Sequence, residues 1–381
     1  SVVPGLRLQR FAPAAGALRT RLAWCWSDDM ASQTERRWLQ AAWSLQGEAL
    51  AQWGERVGVA LRWSLAPGQL VLDVSGPSSL LPAFLRELLT QLQAPPSLCQ
   101  LPLIERRSRR WLQQEHDALP AWRLLQTLEQ ERTVSALRLR DPQALWQRLC
   151  SQAQVIWLKP EGWPEAERAR LAKLLINLCP QLMQPFAWRC PLPQLQRGQL
   201  QVSEVSSKHT DRAQLLYLPA QDDSLLEAAC WRLLHHRLAD PFFAELRTRQ
   251  QLGYWVVARL HRRAGRPGLL LLVQSPDQSH RRIESAVDDF LATSVQELSA
   301  LPAEQLQAQA SHLSQLLEQQ RQHPQHGFEA RWEDCVWQRE DQLAAEQQAL
   351  LELTAAHWNA FVSRLPQSAR WRLLSRQAGA D

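Results

Sequence analysis

The chain has 381 residues, of which 45% are hydrophobic and 21% charged, and its formal net charge is +5. This length and balance are typical of a soluble globular protein with two ordinary domains, each with a sizeable core. A membrane-spanning helix is excluded, because no apolar run approaches the ~20 residues that it needs.

The first half of the chain has the element pattern of an α+β domain. Alternating apolar residues predict a strand at 18–27 and a hairpin at 61–74 that turns at Pro67-Gly68. Helical periodicity, proline positions and capping residues predict helices at 32–57, 78–92, 102–115 and 120–129, and another that opens at Asp141-Pro142. A strand at 154–159 and a helix at 164–178 complete the predicted domain.

The second half repeats this order after a proline-punctuated stretch, 180–193, that is typical of a linker. Its predicted elements are a strand at 214–218, helices at 224–238 and 241–251, a hairpin at 254–275, helices at 279–298, 302–321, 327–348 and 354–364, and a strand at 369–374. The recurrence predicts two homologous α+β domains, 1–190 and 191–381. Each is expected to be a mainly antiparallel sheet covered by helices.

The most informative stretch is the junction between helix 241–251 and the strand after it. Pro241 suits the first turn of a helix, and Gly253 is predicted to end that helix in the left-handed conformation. The junction would place Arg247 near Tyr254, and a guanidinium and a phenol together can donate hydrogen bonds to carbonyl or carboxylate oxygens. An ordinary helix–strand junction, with a solvated arginine and a half-buried tyrosine, is the alternative.

Residues 242–254, Phe-Phe-Ala-Glu-Leu-Arg-Thr-Arg-Gln-Gln-Leu-Gly-Tyr, resemble the Leu-Arg-Thr-x-x-Gln-Leu-Gly-Tyr signature of the insulysin/pitrilysin family of zinc endopeptidases, the inverzincins. The likeness continues through 255–291, with a strand, a basic turn, a strand ending Gln274-Ser275 and a helix. The family is built from four related domains in two halves, and this signature lies in the fourth. The chain therefore resembles domains three and four, the non-catalytic C-terminal half. For the third domain, the resemblance depends on element order alone.

The resemblance also implies roles for three residues. In the family, an arginine and a tyrosine of this signature bind substrate backbone beside the zinc of the other half, and they correspond to Arg247 and Tyr254 here. Phe243 falls where the family has an aromatic residue that lines the substrate pocket. For Phe243, a packed core phenylalanine is the alternative.

The zinc signature of the family, His-x-x-Glu-His, does not occur in the sequence. His235 and His236 are adjacent, so on a helix they point about 100° apart. His323 and His326 are separated by Pro324, which favours a loop. No phosphate-binding loop, nucleophile elbow or kinase motif is present either. We therefore expect no metal site in this chain, zinc only in an N-terminal catalytic half that is its partner, and no activity of the chain alone.

The implied function is that of a substrate-clamping half of a zinc metalloendopeptidase that cleaves small peptides in a closed chamber. Compact insertions and high Trp and Gln content resemble the branch of the family that trims a precursor peptide in pyrroloquinoline quinone biosynthesis. Half of a periplasmic pitrilysin-like peptidase is one alternative. An inactive paralogue that serves as a peptide-binding or scaffold subunit is another, from a different functional class.

Other partners and the compartment follow from charge and cysteines. The densest arginine cluster, 106–110, is flanked by Leu, Ile and Trp and favours a solvated helix face over a nucleic-acid patch. We expect neither nucleic acid nor membrane as a partner. The seven cysteines lack paired spacing, and Cys25, Cys150 and Cys230 lie among apolar residues. Reduced thiols and the cytoplasm are predicted, with the periplasm as the alternative.

Overall fold

The computed structural model describes residues 6–11, 18–27, 30–130, 141–161, 163–184 and 195–377. The chain divides into two compact units. The first unit consists of Ser1–Gln114, Arg132–Cys190 and Arg331–Arg339, and the second of Glu115–Glu131, Pro191–Ala330 and Glu340–Asp381. The main division thus falls between residues 190 and 191, whereas two short segments, 115–131 and 331–339, belong to the unit opposite to the one predicted.

Each unit contains a five-stranded sheet. The strands of the first sheet are β1 (Leu6–Phe11), β2 (Leu18–Cys25), β3 (Ala60–Ala66), β4 (Gln69–Gly76) and β5 (Gln154–Pro160), in the order β1-β5-β2-β4-β3. Those of the second sheet are β6 (Leu200–Ser207), β7 (Arg212–Pro219), β8 (Trp255–Arg263), β9 (Arg266–Ser275) and β10 (Arg370–Gln377), in the order β6-β10-β7-β9-β8. The pairs β1–β5 and β6–β10 are parallel and the other pairs antiparallel. The predicted pair of mainly antiparallel α+β domains is confirmed.

In both halves of the chain, helices lie between the second and third strands and again between the fourth and fifth strands. Those from the first half of the chain are α1 (Gln33–Gln46), α2 (Glu48–Arg56), α3 (Leu81–Gln91), α4 (Leu101–His116), α5 (Pro120–Gln130), α6 (Pro142–Gln152) and α7 (Glu165–Leu178). Those from the second half are α8 (Leu225–Phe243), α9 (His280–Ser299), α10 (Ala303–Gln322), α11 (Pro324–Trp337), α12 (Gln342–Leu351) and α13 (Ala355–Arg364). Asp141 caps α6 as predicted, because its side chain accepts from the N–H groups of Gln143 and Ala144 at 3.0 Å.

Several boundaries differ from the predicted ones. The helix predicted at 32–57 is divided at Gly47, and the helix predicted at 327–348 is divided between Gln338 and Asp341, whose φ angles are 56° and 45°. A left-handed residue ends an α-helix, and Asp341 then caps α12. The strands β1 and β6 were not predicted at all. In β6 the alternating Leu200 and Val202 side chains are exposed, so the pattern does not mark a core face. The predicted linker, 180–193, lies mostly outside the described residues.

The two cores are apolar layers between each sheet and its helices. In the first unit, tryptophans fill much of this layer, and the fully buried ones are Trp24, Trp26, Trp38, Trp43 and Trp157. In the second unit the sheet is covered on both faces. Helices α8 and α9 pack on one face, and α5 packs on the other through Ala121, Leu124 and Leu128. The covering of the second face matters for the candidate site, because α5 reaches the end of β9.

Candidate functional site

The candidate site begins where α8 ends. Helix α8 runs unbroken to Phe243 with Pro241 inside its last turn, and a π-helical turn, Ala244–Arg249, follows directly. The prediction that a new helix starts at Pro241 is therefore wrong. Proline close to the end of a helix removes a single hydrogen bond, and the buried Leu238, Phe242 and Leu246 hold this segment on the core. The wider turn changes the direction of the side chains that follow.

Gly253 is required for a reason other than the predicted one. The residue with left-handed backbone is Gln251, at φ 51°. A Cβ atom on Gly253 would lie 2.2 Å from the carbonyl oxygen of Gln274, so glycine allows the close approach of the chain to β9. The N–H of Tyr254 donates to the same carbonyl at 3.1 Å. The start of β8 is thereby fixed on the end of β9.

The structure places Arg247 and Tyr254 at this junction. Arg247 is exposed, and its Nη1 donates to the carbonyl oxygen of Gly253, the residue before Tyr254. A guanidinium has five N–H donors, and this bond uses one of them. The arginine is thus tied to the backbone of the residue before Tyr254, and this bond leaves four of its five N–H donors for other acceptors.

The Tyr254 side chain is 44% exposed, and its hydroxyl is held by polar neighbours. Tyr254 Oη donates to Asp211 Oδ2 at 2.6 Å. Gln274 Nε2 donates to Asp211 Oδ2 at 3.0 Å and also to Tyr254 Oη. Partial burial and the neighbouring Asp211 carboxylate raise the pKa of Tyr254 to about 12. The phenol is therefore neutral, with one proton to donate, across the physiological pH range.

Phe243 lies one residue before the π-helical turn and is 49% exposed. It is not the packed core residue that was the alternative. That place is taken by Phe242, which is fully buried and meets Phe290 edge-on with ring centroids 5.2 Å apart. Phe243 presents an aromatic surface to solvent beside the turn that carries Arg247.

Two members of this site, Asp211 and Gln274, were not identified from the sequence. Asp211 lies in the turn between β6 and β7, 43 residues before Tyr254. It reaches the tyrosine because β7 pairs with β9, so that Arg212 faces Ser275. Gln274 was noted only as the end of a strand. No local pattern joins these positions, because their proximity depends on strand register.

Within the part of the chain that the structure describes, no group of three or more His, Cys, Asp or Glu side chains is arranged to hold a metal ion. The His236 ring lies 5.9 Å from that of His312, measured between centroids, and the His323 ring lies 4.6 Å from that of His326. The described residues therefore do not fit a catalytic zinc.

The cysteines and charged surfaces bear on compartment and partners. The cysteines in the described residues form no disulfide with one another, and those that are buried are Cys25, Cys150, Cys179, Cys230 and Cys335. Cys190 lies outside the described residues. On α4, Arg106, Arg109 and Arg110 are exposed, as predicted for a solvated helix face. None of the helices that the structure describes combines the length and apolarity needed to cross a bilayer.

The junction lies in a segment of the chain that is similar to known sequences. Residues 233–332 match the family model described as "PQQ synthase PqqF-like, C-terminal lobe domain 4", and this segment includes Phe243, Arg247 and Tyr254. The coenzyme PQQ synthesis protein F of Pseudomonas syringae pv. tomato is 40% identical over 100 residues. The matched segment covers 26% of this chain and 13% of that protein.

Comparison with solved structures extends over nearly the whole chain. The crystal structure of pitrilysin superposes with a TM-score of 0.75 and 17% identity, covering 99% of this chain and 43% of pitrilysin. A peptidase M16 inactive domain from Pseudomonas fluorescens superposes with a TM-score of 0.67 and 12% identity, covering 99% of this chain and 95% of that domain. At these identities the structural likeness establishes the fold alone.

Proposed function

We propose that this chain is the substrate-clamping half of a zinc metalloendopeptidase. Its sequence and fold support the C-terminal half of an M16-type peptidase related to coenzyme PQQ synthesis protein F. Its substrate is a small precursor peptide trimmed in pyrroloquinoline quinone biosynthesis. The proposal is carried by one observation. Arg247 and Tyr254 lie at a single junction whose backbone is fixed on β9.

The role of this chain is to bind and orient. Peptide hydrolysis requires an extended substrate held in register, and good positioning lowers the barrier because orientation entropy is lost on binding. Arg247 and Tyr254 supply donors for substrate carbonyl oxygens, and Phe243 lines the pocket beside them. One well-placed donor to an oxyanion contributes ~3 kcal/mol of transition-state stabilisation. Zinc, held by the N-terminal partner half, supplies Lewis-acid chemistry when bound.

The cytoplasm is the proposed compartment. The cysteines in the described residues form no disulfide with one another, five of them are buried, and a reducing environment keeps such thiols intact. Burial raises the pKa of the Cys230 and Cys335 thiols to about 12, which keeps them protonated and unreactive.

The test is hydrolysis of a quenched fluorescent peptide by three preparations, namely this chain alone, the zinc-bearing N-terminal half alone, and both together. We expect activity only from the pair, and zinc only in the N-terminal half. Stoichiometric zinc and activity in this chain alone would overturn the proposal. Equal activity with and without this chain would favour the scaffold function instead.

A further inference from the structure

The hydrogen bonds around Tyr254 determine where its single proton goes. Gln274 is fully buried, and its Oε1 accepts from the N–H of Ala121 at 3.0 Å. A backbone N–H is only a donor, so the oxygen of the amide is the atom that faces Ala121. The nitrogen of the same amide must then be the atom that faces Asp211 and Tyr254, as it is here.

The proton of Tyr254 is therefore directed to Asp211. Gln274 Nε2 can only donate, so Tyr254 Oη accepts from it, and an ionised carboxylate can only accept. The 2.6 Å separation of Tyr254 Oη and Asp211 Oδ2 is in the range of a charge-assisted O–H···O⁻ bond, which is stronger than a bond between neutral groups. A substrate carbonyl oxygen needs this same proton.

We propose that Asp211 is an internal competitor for the Tyr254 hydroxyl, which a substrate carbonyl has to displace before it can accept the tyrosine proton. Asp211 is thus a positioning residue that acts through Tyr254. The inference rests on the proposed function, because it gives Asp211 a role in substrate engagement only if Tyr254 contacts substrate. Arg247 has no such competition, since its bond to Gly253 uses one of five donors.

This competition has a definite kinetic signature. The free energy needed to displace Asp211 raises the free energies of the enzyme–substrate complex and of the transition state by the same amount, because the substrate uses the freed proton in both. A uniform cost of this kind raises KM and leaves kcat unchanged. Removal of Asp211 should therefore lower KM, whereas loss of a residue that orients Tyr254 productively would lower kcat or raise KM.

The first experiment measures kcat and KM of the assembled enzyme with a quenched peptide for Asp211→Ala, Asp211→Asn, Tyr254→Phe and the double variant Asp211→Ala/Tyr254→Phe. We expect Asp211→Ala to lower KM about tenfold to a hundredfold, the equivalent of one hydrogen bond to a charged group, with kcat unchanged. Asp211→Asn, which keeps a neutral acceptor, should give a smaller decrease. In the Tyr254→Phe background, removal of Asp211 should have no effect.

Asp223→Ala is the matched control. Asp223 pairs with Arg266 at the opposite end of β9, so this variant also removes a paired carboxylate from the second unit. An unchanged or higher KM in Asp211→Ala would overturn the inference, as would an equal decrease in the Tyr254→Phe background. If Tyr254→Phe itself leaves kcat/KM unchanged, the proposed function is wrong. This result differs from those that would overturn only the inference about Asp211.

A second experiment detects the Tyr254–Asp211 bond without activity. The chain has two tyrosines, so ¹³Cζ-tyrosine labelling gives two resonances, and Tyr217→Phe assigns them. Ordinary tyrosine has a pKa of about 10 and is largely ionised near pH 10.5. Tyr254 should stay protonated there in the parent chain and begin to ionise in Asp211→Asn, while circular dichroism checks that the fold persists. Identical titration in both chains would overturn the inference.

Discussion

The two sheets have the same strand order. The residue before the third strand in chain order, β3 or β8, nevertheless differs in burial and in partners between the two units. In the first unit the residue before β3 is Val59, whose side chain is 1% exposed. In the second unit the residue before β8 is Tyr254, which is 44% exposed and belongs to a polar network. The equivalent position is thus buried in one unit and carries a half-exposed phenol in the other. Fold alone did not decide this.

Both units have a glycine two residues before this strand, but the two glycines have different surroundings. A Cβ on Gly58 would lie 4.0 Å from its nearest neighbour, Pro77 Cδ, whereas a Cβ on Gly253 would lie 2.2 Å from the Gln274 carbonyl oxygen. The residue that faces the start of the strand also differs, since Ala60 pairs with Ser75 and Trp255 pairs with Gln274. The longer side chain of Gln274 donates a hydrogen bond to Tyr254 Oη.

The largest expected effect concerns the buried charge of the second unit. Glu346 is fully buried and accepts from Arg232 at 2.6 Å and from Arg262. The first unit also has a carboxylate that pairs with two arginines. This is Asp73, which pairs with Arg19 and Arg21 and whose side chain is 16% exposed. Glu346→Ala should lower the free energy of unfolding by about 3–5 kcal/mol, because the charges of Arg232 and Arg262 both lose this buried carboxylate. Asp73→Ala should cost about 1 kcal/mol. Urea unfolding of the chain measures both, and similar losses would contradict this contrast.

The same group predicts acid sensitivity. Burial alone would raise the pKa of Glu346, but Arg262 and Arg232 outweigh it and lower the pKa to about 2. A carboxyl whose pKa is depressed in the folded state stabilises the fold fully above its unfolded pKa of about 4.3 and loses this contribution as the pH falls to 2. Thermal unfolding between pH 5 and pH 2 should show this decline, and Glu346→Gln should flatten it.

Substitution of Gly253 and of Gly58 should show how much stability depends on the close approach of two chain segments and how much on a left-handed backbone angle. Gly253→Ala places a methyl group against the Gln274 carbonyl, so the chain must move, and we expect a loss of about 3 kcal/mol. Gly58 has φ 79°, and a Cβ added there would meet only Pro77 Cδ at 4.0 Å, an ordinary contact, so Gly58→Ala should cost about 1 kcal/mol of backbone strain. Chemical unfolding of the two variants provides the comparison. Equal costs would mean that the β8 junction is no tighter than its counterpart.

Tyr254→Phe tests whether the exposed junction is functional. The variant should lower kcat/KM of the assembled enzyme about 100-fold if the hydroxyl donates in the transition state. Its free energy of unfolding should change by less than about 1 kcal/mol, because the lost bond is partly exposed. Tyr217→Phe is the matched control, since Tyr217 is buried beneath α5 and should leave activity unchanged. Equal kcat/KM in both variants would contradict the proposed role.

Phe243→Ala should have the smallest effect. A half-exposed side chain contributes little to stability, so the free energy of unfolding should change by less than about 1 kcal/mol. If Phe243 lines the substrate pocket, KM should rise about threefold to tenfold for peptides with a large apolar residue beside the cleaved bond. Phe242→Ala, at the buried neighbour, should instead cost about 3–5 kcal/mol of stability. If the effect of Phe243→Ala on KM does not depend on the peptide's side chains, Phe243 does not line the substrate pocket.

Much of the fold was predictable because local chemistry repeats along the chain. Alternation marked β2, β4 and β9, capping residues marked the start of α6, and the recurring order of elements indicated two similar sheets. The boundaries inside 32–57 and 327–348 were missed because single residues at Gly47 and Gln338 end helices whose apolar periodicity continues past them. Periodicity reports which face is buried, and it does not report where the backbone turns.

For the site, the sequence by itself determined the stretch 242–254 and, through its motif, the three residues proposed to meet substrate. Only the tertiary structure decided what holds them. Asp211 and Gln274 reach Tyr254 through the pairing of β7 with β9, and α5 orients Gln274 across 153 residues of sequence. The direction of the tyrosine proton also follows from that network of donors and acceptors. Contacts so distant in sequence leave no local pattern, because strand register and helix packing bring them together only in the folded chain.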